Sequence, residues 1–140
     1  PQIEVFMDND YTKEEMKMSW ETKKIMGDDT ILVNPTAVRV PVFYGHAEAI
    51  HIETRTQTSA EEVKELLRNA PGIVVREADE DFPTQIGDAS GKDETYVGRI
   101  REDISHPNGI NMWVVADNVR KGAATNSIQI AELLIEQYLS

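Results

Sequence analysis

The sequence contains no cysteine. Disulfides, thiolate metal sites and a cysteine nucleophile are therefore excluded within these residues. Basic charge is also scarce: 14 Lys and Arg stand against 25 Asp and Glu, a formal charge of −11 at pH 7. Nucleic acid, whose phosphates demand a basic footprint, is not an expected partner. Neither is an anionic membrane surface, for want of a polybasic patch. No apolar run approaches the roughly 20 residues of a membrane span, and no charged-then-apolar signal segment opens the chain. The expected location is the cytoplasm. The glycines at 87 and 91 lack the Walker spacing, and GxSxG does not occur. His46, His51 and His106 show neither HxH nor HExxH spacing, so no metal is expected. What is present is 140 residues, 40% hydrophobic and 28% charged, the composition and length of one globular domain with a core of its own. The chain opens at Pro1, straight into the apolar-rich Ile3-Glu4-Val5-Phe6, which reads as a fragment or a processed chain.

Punctuation along the chain predicts the elements. Thr12 and Glu15 form a capping box, which opens a helix over about residues 12–26, with Met16, Trp20 and Met26 as its apolar stripe and Gly27 as its stop. Residues 30–33 read as a short extended piece ending at Asn34-Pro35. From residue 36 to 56 the types become β-branched and aromatic. Val38, Val40, Val42 and Tyr44 alternate with other residues, Pro41 demotes the run to an edge or irregular strand, and a cleaner strand resumes at 49–54 after Gly45. Ser59 and Glu62 are a second capping box, opening a helix through Asn69. Strands are expected at 73–75, 95–101 and 110–116, a solvated acidic loop at 77–81 and irregular chain at 82–94. Asn108-Gly109 signals a hairpin turn, and residues 121–139 read as a closing helix with Ile128, Ala131, Leu134 or Ile135, and Tyr138 along one side. The fold class is α+β, a mixed β-sheet with helices on one face.

Two constellations could carry chemistry. Glu21 and Lys24 are three apart, neighbours on one helix face, and suit either a surface ion pair or a site for a ligand bearing both charges. Arg39 interrupts an apolar run, where an unpaired guanidinium would be expensive, so it should meet a carboxylate of the protein or of a ligand. His46 lies seven residues on, on the opposite face of an unbroken strand, and a bulge or turn at Gly45 could bring both to one side. Alone, none of these makes a complete active site.

Five motifs in order add a resemblance. Trp20-Glu21-Thr22-Lys23-Lys24-Ile25, Val38-Arg39-Val40-Pro41-Val42 through Gly45-His46, Val97-Gly98-Arg99-Ile100-Arg101, Met112-Trp113-Val114-Val115-Ala116-Asp117-Asn118 and Lys121-Gly122-Ala123-Ala124 resemble the C-terminal part of aspartate-β-semialdehyde dehydrogenases. The resemblance implies a fold like the catalytic domain of glyceraldehyde-3-phosphate dehydrogenase. In such a domain one sheet face carries helices and the other serves dimer contact, and the whole chain, residues 1–140, would be a substrate-binding and dimerisation domain. It implies NADP-dependent reductive dephosphorylation of β-aspartyl phosphate to aspartate semialdehyde, with no metal, and a homodimer. His46 matches the acid/base histidine, Arg39 the grip on the α-carboxylate, Glu21 the partner of the α-ammonium and Lys24 the phosphate ligand. Asn118 matches the amide beside the nicotinamide carboxamide, and Arg99 and Arg101 look structural or interfacial. The nucleotide domain and the nucleophilic cysteine would lie upstream, the fragment alone would be inactive, and the helix at about 119–139 would have lost the nucleotide domain as its packing partner. Two other readings stay open: a sibling reductase acting on N-acetyl-γ-glutamyl phosphate, and a non-catalytic acidic α+β binding or dimerisation module.

Overall fold

The computed structural model describes residues 1–77 and 82–139. They form two compact units, Pro1–Pro41 and Val42–Ser140. In the first unit the helix α1 runs Lys13–Met26, as the capping box requires: Thr12 Oγ1 accepts from the Glu15 N–H and Glu15 Oε2 accepts from the Thr12 N–H at 2.8 Å. Gly27, at φ 65°, ends it in the left-handed conformation that glycine adopts without strain. The expected stripe is largely uncovered, with Trp20 49% and Met26 67% exposed.

The expected strand across 37–44 does not form; residues 31–40 belong to no helix or strand. The reason lies in the backbone donors. Pro35 and Pro41 have none. The Ala37 N–H is taken by Glu15 Oε1 at 2.9 Å and the Arg39 N–H by the Pro1 carbonyl at 2.7 Å, so no ladder is available to them. The segment is held against α1 by side chains instead, with Tyr11 Oη donating to Asn34 Oδ1 at 2.9 Å.

The second unit is built on a sheet of order β1-β4-β3-β2, with β1 (His46–Glu53), β2 (Ile73–Arg76), β3 (Thr95–Glu102) and β4 (Gly109–Ala116). β1 and β3 both run antiparallel to β4, and β2 runs parallel to β3, so the sheet is mixed, as expected. The helix α2 (Ala60–Arg68) starts on the second capping box and covers one face. Beneath it Ala60, Val97, Ile100, Ile110 and Met112 form the main core, joined by Ile50, Val63, Leu67 and Val75. On the other face Ala89, Tyr96 and Val115 form a smaller cluster with Ala47, Val74 and Trp113. Ala89 closes a five-residue π-type turn, Gln85–Ala89, inside the stretch expected to be irregular; Thr84 caps it. The acidic loop expected at 77–81 lies, from residue 78 on, outside the described residues.

The hairpin at Asn108-Gly109 exists, but the glycine is there for another reason. The connection spans 103–108, and Gly109 opens β4. A Cβ on it would lie 2.5 Å from the Asp103 Cβ, so close approach rather than a positive φ demands glycine. The chain closes in continuous helical turns, with α3 (Thr125–Leu134) flanked by π-type turns at Arg120–Ala124 and Ile135–Leu139. Its apolar side chains are open to solvent, Ile128 at 60% and Tyr138 at 74%. No helix among the described residues is long and apolar enough to cross a membrane.

Candidate functional site

Three of the five predicted site residues fall in the first unit. Glu21 and Lys24 stand exposed on the second half of α1. Among the described residues no ion pair joins them, so the surface bridge that their spacing permits is not made and both charges remain available to a ligand. Arg39 corrects an expectation. It sits on irregular chain, exposed, so its presence is not forced by the cost of a buried cation. No carboxylate of its unit pairs with it, and its backbone N–H is fixed to Pro1.

The other two, His46 and Asn118, belong to the second unit and are brought together at one end of the sheet. His46 is the first residue of β1 and is paired with Ala116, the last of β4. Asn118 lies two residues beyond. Its Oδ1 accepts the N–H of Gly45 at 3.0 Å, which ties the residue preceding His46 to the chain leaving β4. Gly45 is buried, at φ 90°, and a Cβ there would meet the Gln85 Cβ at 3.0 Å and the Ala116 carbonyl at 3.5 Å. The expected break at Gly45 is therefore real, but it ends irregular chain and starts the strand, rather than bulging a strand that carries both Arg39 and His46. By the two-residue alternation His46 shares the face of Ile50, the face that α2 covers further along.

Sequence reasoning did not assign two carboxylates that hold this framework. Asp117 is buried, 4% exposed; its Oδ1 accepts from the Val119 and Arg120 N–H groups at 2.8 and 3.1 Å and its Oδ2 from the Gly91 N–H at 2.8 Å. The Gly91 N–H first, then those of Arg120 and Val119, hold its carboxyl below the usual aspartate range, against the opposing effect of burial. Nearby, Asp93 grips Arg120 with two bonds of 2.8 Å and accepts from the Thr125 hydroxyl, so its pKa falls to about 2. An Asp ahead of a helix is a readable cap signal; the distant Gly91 and Arg120 contacts are not.

The remaining histidines stay outside this arrangement. His51 lies within 3.4 Å of Glu53 Oε1 and 3.3 Å of Asn111 Oδ1, and His106 Nδ1 lies 3.3 Å from the Asn108 N–H in the hairpin connection. No cluster of three or more His, Asp or Glu able to hold a metal ion occurs among the described residues. A hollow of about 450 Å³ lined by Phe82, Pro83, Thr84, Gln85, Arg99 and Trp113 contains none of the five predicted residues.

Comparison with known proteins gives these features a context. Residues 1–121 match the family described as semialdehyde dehydrogenase, dimerisation domain. Aspartate-semialdehyde dehydrogenase of Shewanella violacea is 65% identical over 138 residues, covering 99% of this chain and 41% of the relative. The crystal structure of aspartate semialdehyde dehydrogenase II from Vibrio cholerae, complexed with ASA, superposes with a TM-score of 0.95 at 65% identity, over 99% of this chain and 41% of that one. That of Candida albicans, with NADP, reaches 0.64 at 30% identity over 95% of this chain and 44% of that one. The chain thus spans about 41% of the length of the curated relatives it matches. With its mixed four-stranded sheet and the match over residues 1–121, the chain belongs to the semialdehyde dehydrogenase dimerisation-domain family.

Proposed function

We propose that these residues are the substrate-binding and dimerisation part of an aspartate-semialdehyde dehydrogenase, which reductively dephosphorylates β-aspartyl phosphate to aspartate semialdehyde and releases phosphate. The observation that carries the reading is the superposition of 99% of this chain on 41% of the Vibrio cholerae enzyme, TM-score 0.95 at 65% identity. It is supported by a charge inventory that suits the substrate. An amino acid bearing an acyl phosphate offers one cation and two anions, and Glu21, Arg39 and Lys24 supply one anion and two cations. Arg39 would clasp the α-carboxylate with its planar fork, Glu21 would accept from the α-ammonium, and Lys24 would meet the phosphate as a point charge. His46 would hold and deliver the proton, since an imidazole ring can both accept and donate one.

The nucleotide cofactor fits only at its edge. Asn118 spends an Oδ1 lone pair on Gly45, which leaves its amide N–H groups to donate to a carboxamide oxygen. The reduced cofactor, NADPH, would supply the hydride and leave as NADP, and the chain's own contribution there is that one donor. The thiol nucleophile must come from elsewhere in the protein, because these residues include no cysteine. The homodimer and cytoplasmic residence belong to the same proposal. So does the packing of the helix at about 119–139 on a nucleotide domain, for which the exposed Ile128, Leu134 and Tyr138 are the support.

The test is enzymatic. The gene, read through any coding sequence upstream of Pro1, should yield a protein that reduces NADP when given aspartate semialdehyde and phosphate, whereas the 140 residues alone should not. A full-length product inert with that substrate but active on N-acetylglutamate semialdehyde would replace this reading by the sibling reductase.

A further inference from the structure

The chain carries two capping boxes of the same design, and they are used differently. In the second, Glu62 is exposed, and its Oε2 accepts from Ser59 and Thr58 within the same turn. In the first, Glu15 is buried, 8% exposed, and both of its oxygens are engaged. Oε2 closes the box on the Thr12 N–H at 2.8 Å, and Oε1 reaches 22 residues along the chain to accept the Ala37 N–H at 2.9 Å. A capping box needs only one of those bonds. The second is additional.

Its location gives it a purpose. Ala37 is two residues before Arg39, within about 7 Å along extended chain. Glu15 is six residues before Glu21 on the same helix, about 9 Å along its axis. The segment carrying Arg39 has no strand ladder to hold it; besides the Tyr11–Asn34 side-chain bond it is tied through the Arg39 N–H to Pro1 and the Ala37 N–H to Glu15, and of these two backbone ties only the second reaches α1. A ligand gripped by Arg39 at one end and Glu21 at the other is sensitive to the distance between those two elements. We propose that Glu15 is a positioning residue of the substrate site, setting the guanidinium of Arg39 against the carboxylate of Glu21 so that a small zwitterion can bridge them. The inference rests on the assignment of Arg39 and Glu21 as ligands for the substrate's charged groups. The ordinary carboxylate is the form required, and the backbone N–H groups of Thr12 and Ala37 hold Glu15 in it by lowering its pKa.

Glu15→Gln in the full-length enzyme is the direct test. Glutamine still completes the capping box, but one carboxylate oxygen becomes an NH₂ that cannot accept from the second N–H. The Michaelis constant for aspartate semialdehyde should rise about tenfold, within the hundredfold that an ångström of misplacement can cost, while the Michaelis constant for NADP stays unchanged and kcat changes less. Thr12→Ala, which weakens the same helix end but leaves the Ala37 bond, should lower thermal stability without that rise. In an Arg39→Ala background the effect of Glu15→Gln should vanish. Should Glu15→Gln fail to fold, Ala37→Pro removes the same donor and should give the same rise. If Arg39→Ala itself leaves the Michaelis constant unaltered, the substrate-site assignment fails and this inference with it. If Arg39→Ala raises it but Glu15→Gln does no more than Thr12→Ala, Glu15 is only a helix cap.

Discussion

Gly45→Ala adds one methyl group at the point where irregular chain becomes β1, and its cost can be worked from the geometry. At φ 90° an L-residue pays about 1–2 kcal/mol for a left-handed backbone. The new Cβ would lie 3.0 Å from the Gln85 Cβ and 3.3 Å from its Cγ, inside the 3.5–4.0 Å of a relaxed carbon contact, which adds about 1 kcal/mol of overpacking. Stiffening the unfolded chain returns about 0.4–1 kcal/mol. The net loss is about 2 kcal/mol, roughly a thirtyfold fall in the ratio of folded to unfolded protein. The same displacement moves the Gly45 N–H away from Asn118 Oδ1, and with it the backbone of His46. The full-length enzyme should therefore lose about tenfold or more in kcat, because proton transfer tolerates little misplacement. Urea unfolding followed by tryptophan emission reads the first quantity and steady-state kinetics the second. The two sources of strain separate in a double-mutant cycle with Gln85→Gly, which relieves the crowding but not the backbone cost. A variant within about 0.5 kcal/mol of the parent and within about twofold of its kcat would refute the argument.

Two further outcomes follow from charge. Glu21→Gln should raise the Michaelis constant of the full-length enzyme for aspartate semialdehyde by about tenfold or more, since a neutral amide cannot repay an ammonium; an unchanged constant would favour a substrate with an acylated amine. Asp93, whose pKa is drawn down to about 2 by Arg120 and then Thr125, stabilises the start of the closing helix above the ordinary aspartate value near ~3.9. That contribution should fall as the pH drops below that value and be gone below about pH 2, so Asp93→Asn, which lacks it, should lose less stability than the parent across the same window when unfolding is followed by circular dichroism.

Local rules were enough for much of the fold. Both capping boxes and the stop at Gly27 are set by neighbours within a few residues, and α1, α2 and strands β2 to β4 appear where the sequence puts them. The errors share one cause. Residues 37–44 have the types of a strand, but a strand exists only if another backbone pairs with it, and the donors of Ala37 and Arg39 are taken by Glu15 and Pro1. Gly109 has the sequence of a tight turn, yet Asp103 six residues earlier is what requires it to be glycine. In each case the deciding partner lies outside the window that periodicity inspects.

The candidate site divides along the same line. Glu21, Lys24, Arg39, His46 and Asn118 are read by matching motifs, which name residue types in order and say nothing of what holds them. The structure supplies the supports, and they are carboxylates and an amide bonded to backbone N–H groups far along the chain: Glu15 on Ala37, Asp117 on Gly91, Asn118 on Gly45. A backbone donor looks the same whatever its side chain, so these contacts leave no pairwise signature in a single sequence. They are also what irregular chain needs. Regular elements satisfy their own donors, whereas irregular chain must borrow acceptors: Ala37, two residues before Arg39, uses the Glu15 carboxylate, and Gly45, just ahead of His46 at the start of β1, uses the Asn118 amide. Where binding residues sit on chain without a ladder, the polar residues that satisfy its backbone become part of the site, and removing them should register in substrate affinity before it registers in the fold.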